Sequence, residues 1–247
     1  MATYFQLRDT REGQQVVRRK KVTKKICLFD IDGTLIQTEG AGKSAFQAAL
    51  TSEFGIEASD CRVPFSGRTD RAIVRDLFEL HRIDDTEASW DRFCGAYLHH
   101  LPAELALLQG RVLPGILKLL AEFSERPDVA VGLLTGNMEK GAMTKLTHFA
   151  IEHHFEFGGY GERHYDRADV AREALAAARQ NNDNVLTEQV WVIGDTPLDI
   201  QCARAIDAHV VAVCTGLHSR EELAAEHPDL LLDDLADPTP FLLAIAG

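Results

Sequence analysis

The sequence predicts an α/β protein, a doubly wound parallel sheet with a helical insertion after its first strand. Three observations carry this. Four short apolar runs, within residues 26–29, 128–137, 190–193 and 209–216, read as strands buried on both faces of a parallel sheet. Helical stretches separate the later ones, the pattern of right-handed β-α-β units. Between the first and second strands, apolar residues recur at helical spacing over about 75 residues without strand signals.

In chain order, residues 1–24 lack sustained periodicity and read as a basic arm, with Val16-Val17 as a candidate short strand. A solvated tail leading into the first strand is the favoured reading. Residues 25–37 and 113–247 form the predicted core domain, and 38–112 the predicted helical domain. In the latter, Ala45, Phe46, Ala49, Leu50 and Phe54 mark one helix. Ile73, Val74, Leu77 and Phe78 mark a second, and Trp90, Phe93, Tyr97 and Leu101 a third. Gly110, Pro114 and Gly115 punctuate the return to the core. A helix is predicted over 116–123, and a short strand and loop over 155–161. An Ala-rich helix spans 171–179, another runs to Ala205, a possible edge element covers 230–234, and a final helix closes the chain.

The 247 residues are 45% hydrophobic and 26% charged, ordinary for a soluble globular protein with one or two domains. No apolar run reaches the length of a membrane span. No apolar segment follows the basic N-terminus, which argues against a secretory signal. Five scattered cysteines without a CxxC pair argue against a disulfide framework or zinc site and for a reducing, cytoplasmic compartment. The paired histidines, His99-His100 and His153-His154, lack carboxylates at ligand spacing and read as surface residues. Residues 1–25 carry eight Lys/Arg against Asp9 and Glu12, a net of +6; subtracted from the total of −12, this leaves −18 on the rest. An acidic body argues against nucleic acid as substrate. Oligomeric state is not legible.

The candidate chemistry sits where strands end. After the first strand comes Asp30-Ile31-Asp32-Gly33-Thr34, two carboxylates two residues apart, which extended backbone points the same way. Open parallel sheets bind ligands beyond the carboxyl ends of their strands. Like charges there need a cation or a shared proton, and hard oxygen ligands suit Mg²⁺. The second strand ends in Thr135-Gly136-Asn137, a hydroxyl and open N–H groups able to bind phosphate oxygens or to cap a helix. The strand over 190–193 ends in Gly194-Asp195, with Asp199 four residues later at a helix start. In the helical insertion, Arg68 in Phe65-Ser66-Gly67-Arg68-Thr69-Asp70 could grip a substrate carboxylate or phosphate, or pair internally with Asp70 or Asp76.

These stretches together resemble the haloacid dehalogenase (HAD) superfamily, in the phosphoglycolate phosphatase-like branch, over roughly residues 24–236. DIDGT resembles motif I, the strand ending in Thr135 motif II, and Gly194-Asp195 with Asp199 motif IV. The resemblance implies strand order 5-4-1-2-3 and a helical cap over residues 38–112. Asp30 would then be a nucleophile forming an aspartyl-phosphate, and Asp32 a general acid/base. Asp30, Asp32 (through its backbone carbonyl), Asp195 and Asp199 would hold Mg²⁺. Thr135, Gly136 and Asn137 would take phosphate oxygens. The family's motif III lysine is replaced by Arg167, with Ala168 where proline is common; Lys140 and Lys145 are rival cations on the preceding helix. Lys43 falls too soon after motif I to match the Schiff-base lysine of phosphonate-cleaving relatives.

The implied reaction is Mg²⁺-dependent hydrolysis of a small phosphorylated metabolite. A phosphoglucomutase-like transferase shares these motifs. A 2-haloacid dehalogenase would lack the second motif I Asp, so Asp32 speaks against it. A non-catalytic binding protein would explain the missing lysine but not the intact Asp30, Asp32 and Asp195. The implied site gathers four acidic residues from two distant places around one ion.

Overall fold

The computed structural model describes residues 24–57, 63–182 and 185–246. Residues 1–23 of the basic arm, with the Val16-Val17 candidate strand, and Cys61 lie outside them. Six strands form one parallel sheet: β1 (Lys25–Phe29), β4 (Val129–Leu134), β5 (Gly158–Gly159), β6 (Val190–Gly194), β7 (His209–Val213) and β8 (Leu230–Leu232). Their order is β5-β4-β1-β6-β7-β8. This is the expected 5-4-1-2-3 arrangement with β8 added at the outer edge.

Period-two side-chain geometry divides each strand between two cores. Cys27 and Phe29 of β1, Leu133 of β4, Trp191 and Ile193 of β6 and Val211 and Val213 of β7 face one side. Helices α4 (Ile116–Ser124), α5 (Glu139–His148) and α9 (Thr239–Ala246) cover it, through Leu119, Leu146 and Phe241 among others. Ile26 and Leu28, Leu134, Val190 and Val192, and Val210 and Ala212 face the other side. There α6 (Arg167–Asn181), α7 (Pro197–Arg204) and α8 (Arg220–Ala225) cover them. Burial on both faces is why these strands read as unbroken apolar runs.

Between β1 and β4 the chain leaves through β2 (Ile36–Gln37) and returns through β3 (Arg111–Val112). These pair antiparallel, Ile36 against Val112 and Gln37 against Arg111. Strand signals were not expected there, because two residues are too few to show a period. Between them lie α1 (Ala41–Phe54), α2 (Asp70–His81) and α3 (Glu87–Leu107), with a third core around Phe46, Phe78, Phe93 and Tyr97. Phe46 meets the rings of Phe93 and Tyr97 edge-on at centroid distances of 4.9 and 4.8 Å. Met138, just before α5, joins this core and so ties the helical unit to the sheet.

The return depends on Gly115, which caps α4 with φ of +82°. A Cβ there would overlap the Leu235 carbonyl as well as force an unfavourable left-handed backbone. Gly115→Ala is expected to cost about 2 kcal/mol or more, read as a lower urea midpoint. Among the described residues, no helix is long and apolar enough to cross a membrane.

Candidate active site

Parallel pairing of β1 with β6 sets Phe29 level with Ile193, and the Asp30 N–H donates to the Ile193 carbonyl at 2.9 Å. The residues that follow these strands therefore emerge at the same end of the sheet. Asp30 follows β1, and Asp195 follows β6. Asp199 reaches the same place from the first turn of α7, where it forms a capping box with Thr196. One oxygen from each of Asp30, Asp195 and Asp199 lies within 4.8 Å of the other two. All three residues are buried.

Close packing makes room for this cluster. Asp195 sits against Gly33 and Gly216, and side chains at either would collide with its carboxylate. Thr34 Oγ1 donates to Asp195 Oδ1 at 3.0 Å. Arg167, the first residue of α6, lies 2.9 Å from Asp30 Oδ1 and also pairs with Asp199. Its Nε–H is buried without a partner.

One guanidinium against three carboxylates leaves a surplus of negative charge. Burial pushes Asp30 up to about 6; Arg167 opposes this, while Asp199 and Asp32 add to it. Burial, then repulsion from Asp199 and Asp30, drives Asp195 well above the usual carboxylate range. A divalent ion would relieve that surplus, and an all-oxygen donor set suits Mg²⁺. The residues present fit such an ion.

Beside this cluster lies a second network. The Asp32 carboxylate accepts from Lys145 Nζ at 2.5 Å and from Asn137 Nδ2 at 2.9 Å. Lys145 also donates to Asn137 Oδ1 at 2.6 Å, and Asn137 Nδ2 donates to Thr135 Oγ1 at 2.8 Å. Burial acts to raise Asp32, but Lys145 and Asn137 outweigh it and hold the carboxyl below its ordinary value. Gly42 leaves the space that the Lys145 ammonium fills, since a Cβ there would lie 3.2 Å from Nζ.

The helical unit closes over both networks. The Asp70 N–H donates to the Gly136 carbonyl at 2.7 Å, and Asp70 Oδ2 accepts from the Met138 N–H at 2.7 Å. Burial lifts the Asp70 carboxyl to about 7, with Lys145 opposing. What remains is a cavity of about 360 Å³. Asp30, Asp32, Gly136, Asn137, Lys145, Arg167 and Asp195 line its sheet side, and Lys43, Phe46, Phe65, Ile73 and Tyr97 its helical side.

Several expectations change. Three acidic side chains meet, not four: the Asp32 carboxylate is paired instead with Lys145 and Asn137, in the same cavity. Arg68 borders the cavity, but its guanidinium pairs with Asp76 at 2.6 Å and donates to the Pro64 and Ala72 carbonyls. That is the internal ion pair offered as the alternative. Thr135 is fully buried behind the cavity wall, and its hydroxyl accepts from the backbone and side chain of Asn137. Lys140 is exposed and borders a different cavity. Lys145, kept only as a rival to Arg167, has its own partner in Asp32. Its signal was a lysine on the buried stripe Gly141, Ala142, Lys145, Leu146 of α5, where a lysine without a partner is rare. The sequence offers Asp70 only as a cap or as a partner for Arg68; the structure buries its carboxyl against the Met138 N–H.

The family model described as haloacid dehalogenase-like hydrolase matches residues 27–213. A phosphoglycolate phosphatase of Mesorhizobium japonicum is 24% identical, over 87% of this chain and 96% of its own length. Another, of Rhodospirillum rubrum, is 27% identical over 86% of this chain and 88% of its own. Pyrophosphatase PpaX of Oceanobacillus iheyensis is 24% identical over 85% and 92%. Among solved structures, CbbY from Rhodobacter sphaeroides in complex with phosphate superposes with a TM-score of 0.68 at 19% identity, covering 87% of this chain and 96% of that one. A hydrolase from Pseudomonas syringae does so with 0.67 at 20%, covering 91% and 100%.

Proposed function

Because the chain belongs to the haloacid dehalogenase-like hydrolase family, we propose that it hydrolyses a small phosphomonoester through an aspartyl-phosphate on Asp30, in the manner of a phosphoglycolate phosphatase. The observation that carries this is the convergence of Asp30, Asp195 and Asp199 at one buried point, the first and last paired with Arg167, with the Asp32–Lys145 pair alongside. Residues 38–112 are the proposed cap, hinged at the β2–β3 ribbon.

Asp30 attacks phosphorus, and Arg167 keeps its carboxylate aimed while offering N–H groups to the phosphoryl oxygens. The Gly136 and Asn137 backbone borders the same oxygens. Asp32 gives a proton to the leaving oxygen and later takes one from the water that cleaves the acyl-phosphate. Lys145 and Asn137 hold Asp32 in place and favour the ionised form that takes the proton from water, and the proton so taken is the one given to the leaving oxygen in the next cycle. Asp30, Asp195 and Asp199, with the Asp32 backbone carbonyl, would hold Mg²⁺, which when bound neutralises charge on the transferring group. The cap residues Asp70 and Arg71, whose N–H groups donate to the Gly136 and Gly161 carbonyls, hold the cap down and exclude bulk water.

Turnover of p-nitrophenyl phosphate, abolished by EDTA and restored by Mg²⁺, is the expected result. Metal-independent halide release from a 2-haloacid, or no turnover at all, contradicts the proposal. Lys145→Met is expected to lower kcat/KM by roughly 10²-fold, the scale of one general acid–base contribution. The Asp32 side chain is 39% exposed, so water covers part of the loss and stability falls by only about 1–2 kcal/mol. Steady-state kinetics and urea unfolding of the variant check both.

A further inference from the structure

Four cations border the cavity, and three are already neutralised. Arg167 is held by Asp30 and Asp199, Lys145 by Asp32, and Arg68 by Asp76. Lys43 differs. Among the described residues its ammonium has no carboxylate partner, and the contact it makes is over the Phe65 ring, 5.8 Å from the centroid. It stands in the first turn of α1, on the helical side of the cavity, near Phe46, Phe65 and Tyr97 of the same lining. Phosphate chemistry occupies the sheet side, so the rest of the substrate faces the helical side. Ser66, Arg68 and Asp70 also border this side, but Arg68 is paired with Asp76 and Asp70 accepts from the Met138 N–H, so Lys43 is the cation left uncompensated and favours a leaving group carrying its own negative charge. The volume of about 360 Å³ is near the lower end for small-molecule pockets, so the two charged ends stand only a few bonds apart.

We propose that Lys43 selects substrates by pairing with a second anionic group, a carboxylate or a second phosphate, on the leaving-group side of a compact phosphomonoester. This rests on the phosphatase reading above, and it makes Lys43 a specificity residue with no covalent role.

The test is calorimetric binding to the Mg²⁺-loaded protein of three phosphonates that cannot be hydrolysed. 3-Phosphonopropionate carries a terminal carboxylate, ethylene-1,2-diphosphonate a second phosphonate, and n-propylphosphonate an uncharged end. At least one of the doubly anionic ligands is expected to bind about tenfold tighter than n-propylphosphonate, the scale of one partly exposed charge-assisted contact. Which of the two gains more identifies the anion. Lys43→Met abolishes the advantage, and Lys43→Arg, which keeps the charge, retains it. Equal binding of all three ligands to the wild type, or an advantage that survives in Lys43→Met, overturns the proposal. Because binding is read without turnover, failure here is distinct from failure of the phosphatase reading, which p-nitrophenyl phosphate tests separately.

Discussion

Asp30→Asn is expected to reduce phosphomonoester turnover by at least about 10⁴-fold while leaving the fold intact, as loss of a nucleophile does elsewhere. The substituted amide oxygen can still accept from Arg167, and its volume matches, so packing at the end of β1 is kept. Removing a buried charge should also stabilise the metal-free protein. The carboxyl of Asp30 is raised from 3.8 to about 6 by burial. The folded chain therefore takes up a proton near pH 6 that the unfolded chain takes up only near 3.8. This group's contribution favours the fold fully below pH 3.8 and is lost as pH rises through 6. Thermal melts of metal-free wild type from pH 5 to 8 should show stability falling with rising pH. The fall should be smaller in Asp30→Asn, with the remainder due to Asp195 and Asp70, whose carboxyls burial also raises. A variant with wild-type turnover would remove Asp30 from the chemistry.

Arg167→Met is expected to be the most destabilising change in the site, by about 3–5 kcal/mol without metal, because it leaves two buried carboxylates without their counter-charge. Asp30, Asp199 and Arg167 are all nearly inaccessible to solvent, so water cannot replace the guanidinium. Millimolar Mg²⁺ should recover part of the loss, since a divalent ion among Asp30, Asp195 and Asp199 relieves the same repulsion. Urea unfolding with and without Mg²⁺ measures both effects. A loss under about 1 kcal/mol would mean the carboxylates are neutralised by other means.

Much of this site was legible in the sequence because strand geometry makes it so. Asp30 and Asp195 follow apolar runs buried on both faces, and neighbouring parallel strands deliver such residues to one end of a sheet. Asp199 followed from its spacing at a helix start. The direction of each side chain was less legible. Alternation points Asp32 the way Asp30 points but does not tell their partners apart: Arg167 takes the Asp30 carboxylate, while Lys145, 113 residues away from Asp32, takes that of Asp32. A contact between helix and loop so far apart leaves no local pattern. Arg68 was undecided because a loop arginine is equally suited to a ligand or to a neighbouring carboxylate, and Asp76, two turns into the insertion's second helix, is within its reach. Arg167 stood at the start of its helix with an Asp cap before it, and that placement aimed it back at the strand ends.

The most direct measurement is borohydride trapping of the acyl-phosphate. Acid-quenched protein from turnover with Mg²⁺ would be reduced and mapped by mass spectrometry. Residue 30 should appear as homoserine, only when Mg²⁺ and substrate are both present. Turnover with no reduction at residue 30, or with reduction at another carboxylate, would contradict the assignment of Asp30 as the group that takes the phosphoryl.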